Sequence, residues 1–198
     1  MPTKLAAAAK EIPSHLENSP IPDPSATPVR LPEGGSKASA SLSPGSATRT
    51  LVVIDDAHAD HGSGPAYADI RKLVLQDLGT SARLILEFGE DLPPKIPEQE
   101  VMGVGVDFFF TGASESDYQV FLDGGPNGWF AHFQTPQGYA QFPGTLTLGG
   151  NRAIVELDWG ALGGASSGTI SNFVDWSKEG LIINEVSRDF ISGAGFRR

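Results

Sequence analysis

Val101-Met102-Gly103-Val104-Gly105-Val106-Asp107-Phe108-Phe109-Phe110-Thr111 decides the fold class. Val104, Val106 and Phe108 alternate with Gly103, Gly105 and Asp107. That period of two marks a β-strand, since a helix repeats about every 3.6 residues. Phe108-Phe109-Phe110 and Val120-Phe121-Leu122 are apolar on both faces, so we expect central strands covered on both sides.

The same period extends outward in both directions. Leu51-Val52-Val53-Ile54 is a short β-branched run. Ile70 to Leu75 and Arg83 to Phe88 flank Asp77-Leu78-Gly79-Thr80, a hairpin with a glycine turn. Asp91 to Pro97 is a proline-laden crossover. Asp117 to Asp123 and Gly128 to Gln134 pair around Gly124-Gly125-Pro126-Asn127. Tyr139 to Phe142, Thr145 to Leu148 and Ala153 to Leu157 follow, with Gly149-Gly150-Asn151 as a tight turn. Asp158 to Leu162 reads as one helical turn; Ser171 to Trp176, Leu181 to Ile183 and Asp189 to Phe196 complete the series. Short strands at this spacing predict an all-β, jelly-roll-like antiparallel β-sandwich over residues 51–198.

Residues 1–50 differ in kind. They hold eight of the fifteen prolines and no Phe, Tyr or Trp. Such a segment buries too little apolar surface to offset its ordering entropy. We expect a disordered or extended Pro/Ser/Ala-rich tail or linker, with two helical turns at most around the alanines 6–9 before Pro13. The tail carries four acidic and five basic side chains; the remaining twenty and nine give the domain a net charge of −11. That field repels phosphate backbones, so nucleic acid is not an expected partner.

No cysteine is present, which excludes disulfides, thiolate catalysis and cysteine zinc sites. No run of about 18 apolar residues occurs, so no membrane span is expected. The apolar run near Leu5 is too short for a signal-peptide core, and no cleavage motif follows.

The loop Ile54-Asp55-Asp56-Ala57-His58-Ala59-Asp60-His61-Gly62-Ser63-Gly64-Pro65-Ala66-Tyr67-Ala68-Asp69-Ile70 carries the densest chemistry. Hard cations need several oxygen ligands on a flexible backbone, and Asp56, Asp60 and Asp69 could supply them to Ca²⁺. The alternative is a solvated loop whose Asp side chains cap turns. His58 and His61, with Asp60, would suit a transition metal.

Asp56-Ala57-His58-Ala59-Asp60, a glycine-rich spacer and Ala68-Asp69-Ile70 together resemble the opening of a group of bacterial β-sandwiches. These are DOMON domains, the glucodextranase C-terminal domain and family 9 carbohydrate-binding modules. Tyr118-Gln119-Val120-Phe121-Leu122-Asp123 with Gly128-Trp129-Phe130-Ala131 is similar to a hairpin of that group. So are the step Val155 to Leu162 and the closing segment Arg188 to Gly195. The resemblance covers roughly residues 50–196. It implies an extracellular or cell-surface, non-catalytic binding module of carbohydrate type. It also implies that Asp189 of the closing segment joins Asp56, Asp60 and Asp69 around Ca²⁺. The closing segment departs from the group's pattern, with Ser192 or Gly193 where a second Asp would stand.

Trp129, Tyr118, Tyr139 and Trp176 are candidate sugar platforms, because aromatic rings suit the apolar faces of carbohydrates; the alternative is that they fill the core. Partners are then a carbohydrate or a protein surface. A second reading is a structural or adhesive protein that assembles through its tail or strand edges. Third come an accessory domain of a carbohydrate-active enzyme and a haem-binding DOMON domain using Met102 and His132. No catalytic residue is expected. Gly164-Ala165-Ser166-Ser167-Gly168 matches a nucleophile elbow in letters only, because no histidine follows it.

Overall fold

Alternation decides the elements, and every expected strand within the described part forms. The computed structural model describes residues 48–56, 64–110, 116–178 and 187–198. The strands are β1 (Arg49–Asp55), β2 (Ile70–Asp77), β3 (Ser81–Phe88), β4 (Glu100–Phe109), β5 (Tyr118–Gly125) and β6 (Gly128–Thr135). They continue as β7 (Gly138–Ala140), β8 (Gly144–Gly149), β9 (Arg152–Asp158), β10 (Ser167–Lys178) and β11 (Ser187–Arg197). A 3₁₀ turn, Ala66–Ala68, precedes β2.

Two antiparallel sheets result. One has five strands in the order β1-β2-β3-β9-β8, the other six in the order β11-β10-β4-β5-β6-β7. The chain is an all-β sandwich, as the period of two predicts. Leu73, Leu75, Leu84, Leu86, Val155 and Leu157 face inward from the first sheet. Val104, Val106, Val120, Leu122, Ile170 and Val174 meet them from the second. Each such side chain contributes about 1.5–3 kcal/mol on burial, which pins the register, because a one-residue slip would turn the whole set outward.

The β2–β3 turn needs a positive φ, and Gly79 supplies it at 89° while its N–H donates to Asp77 Oδ1 at 3.0 Å. The crossover from β3 to β4 is held by backbone bonds from Leu92 N–H to Gly150 O (2.9 Å) and from Ile96 N–H to Gly125 O (3.1 Å). It thereby ties the β8–β9 turn to the β5–β6 turn at one end of the sandwich. An aromatic group plugs the interior elsewhere. Phe110 packs on Phe108, Tyr118 and Phe196, and Phe196 packs on Trp159, with ring centroids 5.8–6.1 Å apart.

Two local expectations change. Asp158 to Leu162 forms successive turns, with Leu162 N–H bonded to Trp159 O at 3.1 Å, and not a helix. Phe121 is not sealed beneath a second layer: it stands half-buried on the outward parity of β5. Residues 1–47 and the run Leu181 to Ile183 lie outside the described residues, while Arg49 and Thr50, counted with the tail from sequence, belong to β1.

Candidate functional site

The two outer faces of the sandwich have opposite chemistry. On the five-stranded sheet, Asp55, Lys72, Glu87 and Arg152 follow one another across β1, β2, β3 and β9, alternating in sign. Lys72 pairs with Asp55 and Arg152 with Glu87, each at 2.9 Å. Arg83 pairs with Glu156 at 2.7 Å in the next row but one. This face is neutralised by itself.

The six-stranded sheet presents acids, amides and aromatic rings. Its central strand β4 turns Gly103, Gly105 and Asp107 outward, opposite in parity to the buried Met102, Val104, Val106 and Phe108. Strand β5 turns out Gln119, Phe121 and Asp123, and β10 turns out Ser171, Phe173 and Asp175. Register aligns these into rows. Phe173, Gly105, Phe121 and His132 form one. Ser171, Asp107, Gln119, Gln134 and Tyr139 form a second. Asp175, Gly103, Asp123 and Phe130 form a third.

Gly105 lets the aromatic row exist. A Cβ there would run into the Phe173 ring. Without it, Phe173 lies over the strand and meets Phe121 edge to face, at 6.2 Å and 71°. Beside this pair, His132 Nε2 lies 3.0 Å from Asp123 Oδ2. Asp107, 9% exposed, accepts a hydrogen bond from Gln119 Nε2. Burial pushes the Asp107 carboxyl above the ordinary carboxylate range, against hydrogen bonds from Gln119 and Ser116. Tyr139, 73% exposed, and Phe130, 37% exposed, flank the face.

The residues singled out from sequence fall elsewhere, with one exception. Trp129 is in the core, its ring against Gly124 and its Nε1–H donating to Pro93 O at 2.8 Å. Trp176 is also buried and donates to Glu100 Oε2 at 3.3 Å. Tyr118 belongs to the aromatic plug and stacks on Phe133 at 5.9 Å. These rings face the interior and offer no platform to a sugar; Tyr139 alone of the four stands on the outward rows. Phe121 and Phe173 were missed. The signal was their parity: each is an aromatic flanked two residues away by polar residues, in Gln119-x-Phe121-x-Asp123 and Ser171-x-Phe173-x-Asp175.

Of the proposed calcium ligands, Asp56 follows β1 and bonds Arg71 O through its N–H at 2.8 Å. Asp69 is fully buried, and its Oδ2 lies 2.5 Å from Arg71 Nη2. A cation at Asp69 would meet that guanidinium, so this carboxylate is a poor ligand. Asp189 is opposite Val174 on β11. Its side chain, like all of Asp60, His58 and His61, lies outside the described residues. Among the described residues no three His, Asp or Glu side chains come together as a metal group, whereas Ca²⁺ takes about six to eight oxygens. The described donors alone therefore do not fit that ion.

Met102 and His132 occupy opposite faces of one sheet, Met102 in the core and His132 outward. They cannot ligate one haem from its two sides. Ser166 and Ser167 lead into strand β10 rather than a helix, so the elbow geometry of a nucleophilic serine is absent there.

The opening loop is anchored through Tyr67. Its hydroxyl donates to Glu100 Oε2 at 2.8 Å, and Lys178 Nζ reaches Glu100 Oε1 at 2.9 Å. Burial and the Glu100 bond push the Tyr67 phenol far above its usual range. Burial alone would raise Glu100, but the bonds from Lys178, Tyr67 and Trp176 hold it below the ordinary value. Tyr67, Trp176 and Lys178 thus converge on Glu100, which ties the opening loop to β4 and β10.

No helix among the described residues is long and apolar enough to cross a membrane. Comparison with protein-family models, with curated proteins and with solved structures gave no match.

Proposed function

We propose that the chain is a non-catalytic binding module of carbohydrate type, and that its ligand lies on the outer face of the six-stranded sheet. One observation carries this reading. An edge-to-face phenylalanine pair stands over a glycine strand on that face, bordered by carboxylates and amides. Aromatic faces stack on the apolar faces of sugar rings, and carboxylates and amides bond hydroxyls. The five-stranded face carries Val53, Val74, Ile85 and Ile154 between its ion pairs and no aromatic ring among the described residues.

Affinity electrophoresis of the full chain through gels containing polysaccharides tests the proposal. Retardation by at least one polymer supports it, and unchanged mobility in all of them removes it. The calcium part of the reading rests on Asp56, Asp60 and Asp189, because Arg71 takes Asp69. A melting temperature that rises in millimolar Ca²⁺ and falls back with EDTA supports that part; an unchanged one removes it.

The burial of all three tryptophans favours a second reading, a structural or adhesive protein without a small ligand. Concentration-dependent assembly in sedimentation, with no polysaccharide binding, would select it.

A further inference from the structure

The direction and charge of the ligand can be read from the same face, and this step rests on the carbohydrate reading above. We infer that the face takes an extended, uncharged glycan lying across the strands, with a sugar ring against the Phe121–Phe173 pair and hydroxyls on the row from Asp107 to Tyr139.

Direction follows from the rows. Along any one strand the outward positions mix chemistries, Val101-Gly103-Gly105-Asp107 on β4, Gln119-Phe121-Asp123 on β5 and Ser171-Phe173-Asp175 on β10, so no lane along a strand is polar throughout. Across the strands, Asp107, Gln119, Gln134 and Tyr139 stand in register on β4, β5, β6 and β7. Neighbouring strands are about 4.8 Å apart, so this rail spans roughly 14 Å, room for a few sugar rings. The aromatic row runs parallel to it, about 7 Å away at two residues along each strand. A chain of linked rings with one ring against the Phe173–Phe121 pair therefore keeps one edge along the amides.

Charge follows from the carboxylates. The three rows carry Asp107, Asp123 and Asp175; against them stand His132 and, at the β11 position in register with Asp175, Arg188, so carboxylates remain in excess. A polyanion laid across them would bring its own carboxylates or sulfates against these groups. Nor is the face a trap for cations: His132 pairs with Asp123 at 3.0 Å, Gln119 donates to Asp107, and Asp175 is also engaged. Hydroxyl groups, able to donate to carboxylates and accept from amides, match what remains.

The test uses the full chain in gels of neutral polymers (hydroxyethyl cellulose, glucomannan, xylan) and of anionic ones (polygalacturonate, alginate). Retardation is expected in a neutral gel and not in the anionic ones. Phe121→Ala and Phe173→Ala should each weaken it about tenfold, and Tyr139→Ala should weaken it less. Val101→Ala, on the along-strand path, and Val74→Ala, on the opposite sheet, should leave it unchanged. Melting curves confirm that each variant is folded. Retardation in anionic gels only, or neutral binding that survives both phenylalanine changes, overturns this inference and spares the carbohydrate reading. Loss with Val101→Ala but not Tyr139→Ala overturns the direction. No retardation in any gel overturns both.

Discussion

Asn172→Leu should make this protein more stable. Asn172 is fully buried on the inward parity of β10, between Ile170 and Val174 and opposite Val106. Among the described residues neither its Nδ2 nor its Oδ1 meets a hydrogen-bond partner. An amide buried in this way costs about 1–3 kcal/mol in lost hydration. Leucine is close in size and would add burial of apolar surface, set against about 1–3 kcal/mol of packing strain. The balance is a gain of about 2 kcal/mol. For a domain of this size that is roughly 4–8 °C in melting temperature. Differential scanning calorimetry and urea unfolding would read it as a higher Tm and a higher midpoint at unchanged m. A fall of about 1 kcal/mol or more in both Asn172→Leu and Asn172→Val would refute the reasoning, because it would mean that an internal water satisfies the amide. The position adjoins the register shift between Ile170 and Asn172 in the β10–β11 ladder.

Three other perturbations follow from the geometry. Glu100→Gln removes the Lys178 ion pair at 2.9 Å and weakens the anchor of Tyr67, a loss of about 2 kcal/mol at neutral pH. The folded pKa of Glu100 lies below its ordinary 4.5, so its stabilisation is present above that value and lost as pH falls through the folded pKa. The gap between wild type and variant should therefore close in acid; a gap constant from pH 7 to pH 3 would contradict the assignment. Asp107→Asn should raise Tm at neutral pH while keeping an acceptor for Gln119. Burial lifts the Asp107 carboxyl above 3.8, so the native state holds its proton more tightly and the ionised group costs stability above the folded pKa. That advantage should vanish as pH falls through the same value, which paired thermal melts would show. Arg198→Ala should cost about 1–2 kcal/mol in chemical denaturation. It removes a guanidinium 4.4 Å over the Trp159 ring and a bond of 2.7 Å to Gly79 O.

The sandwich was legible because its cause is local. In Leu84-Ile85-Leu86-Glu87-Phe88 and in Val104-Gly105-Val106-Asp107-Phe108, alternate positions are apolar, and a pleated strand sends those positions to one side whatever its neighbours do. Turns were legible for the same reason, since Gly79 and Gly150 permit positive φ in their own short segments. Aromatic roles were not. Trp129 beside its Gly/Pro/Asn turn looks exposed in sequence, but the crossover from β3 to β4 returns over that turn and covers it, donating Ile96 N–H to Gly125 and accepting from Trp129 through Pro93.

The sequence by itself determined an all-β domain, the position of its strands and which side chains share a parity. Only the tertiary structure decided that β10, β4 and β5 are neighbours. That order unites Phe173, Gly105 and Phe121, which are far apart in the chain, into one surface, and it places Met102 and His132 on opposite faces of one sheet. Parity is a property of each strand's own backbone. Strand order depends on which long-range pairings bury the most apolar surface, and no short window of residues contains that choice.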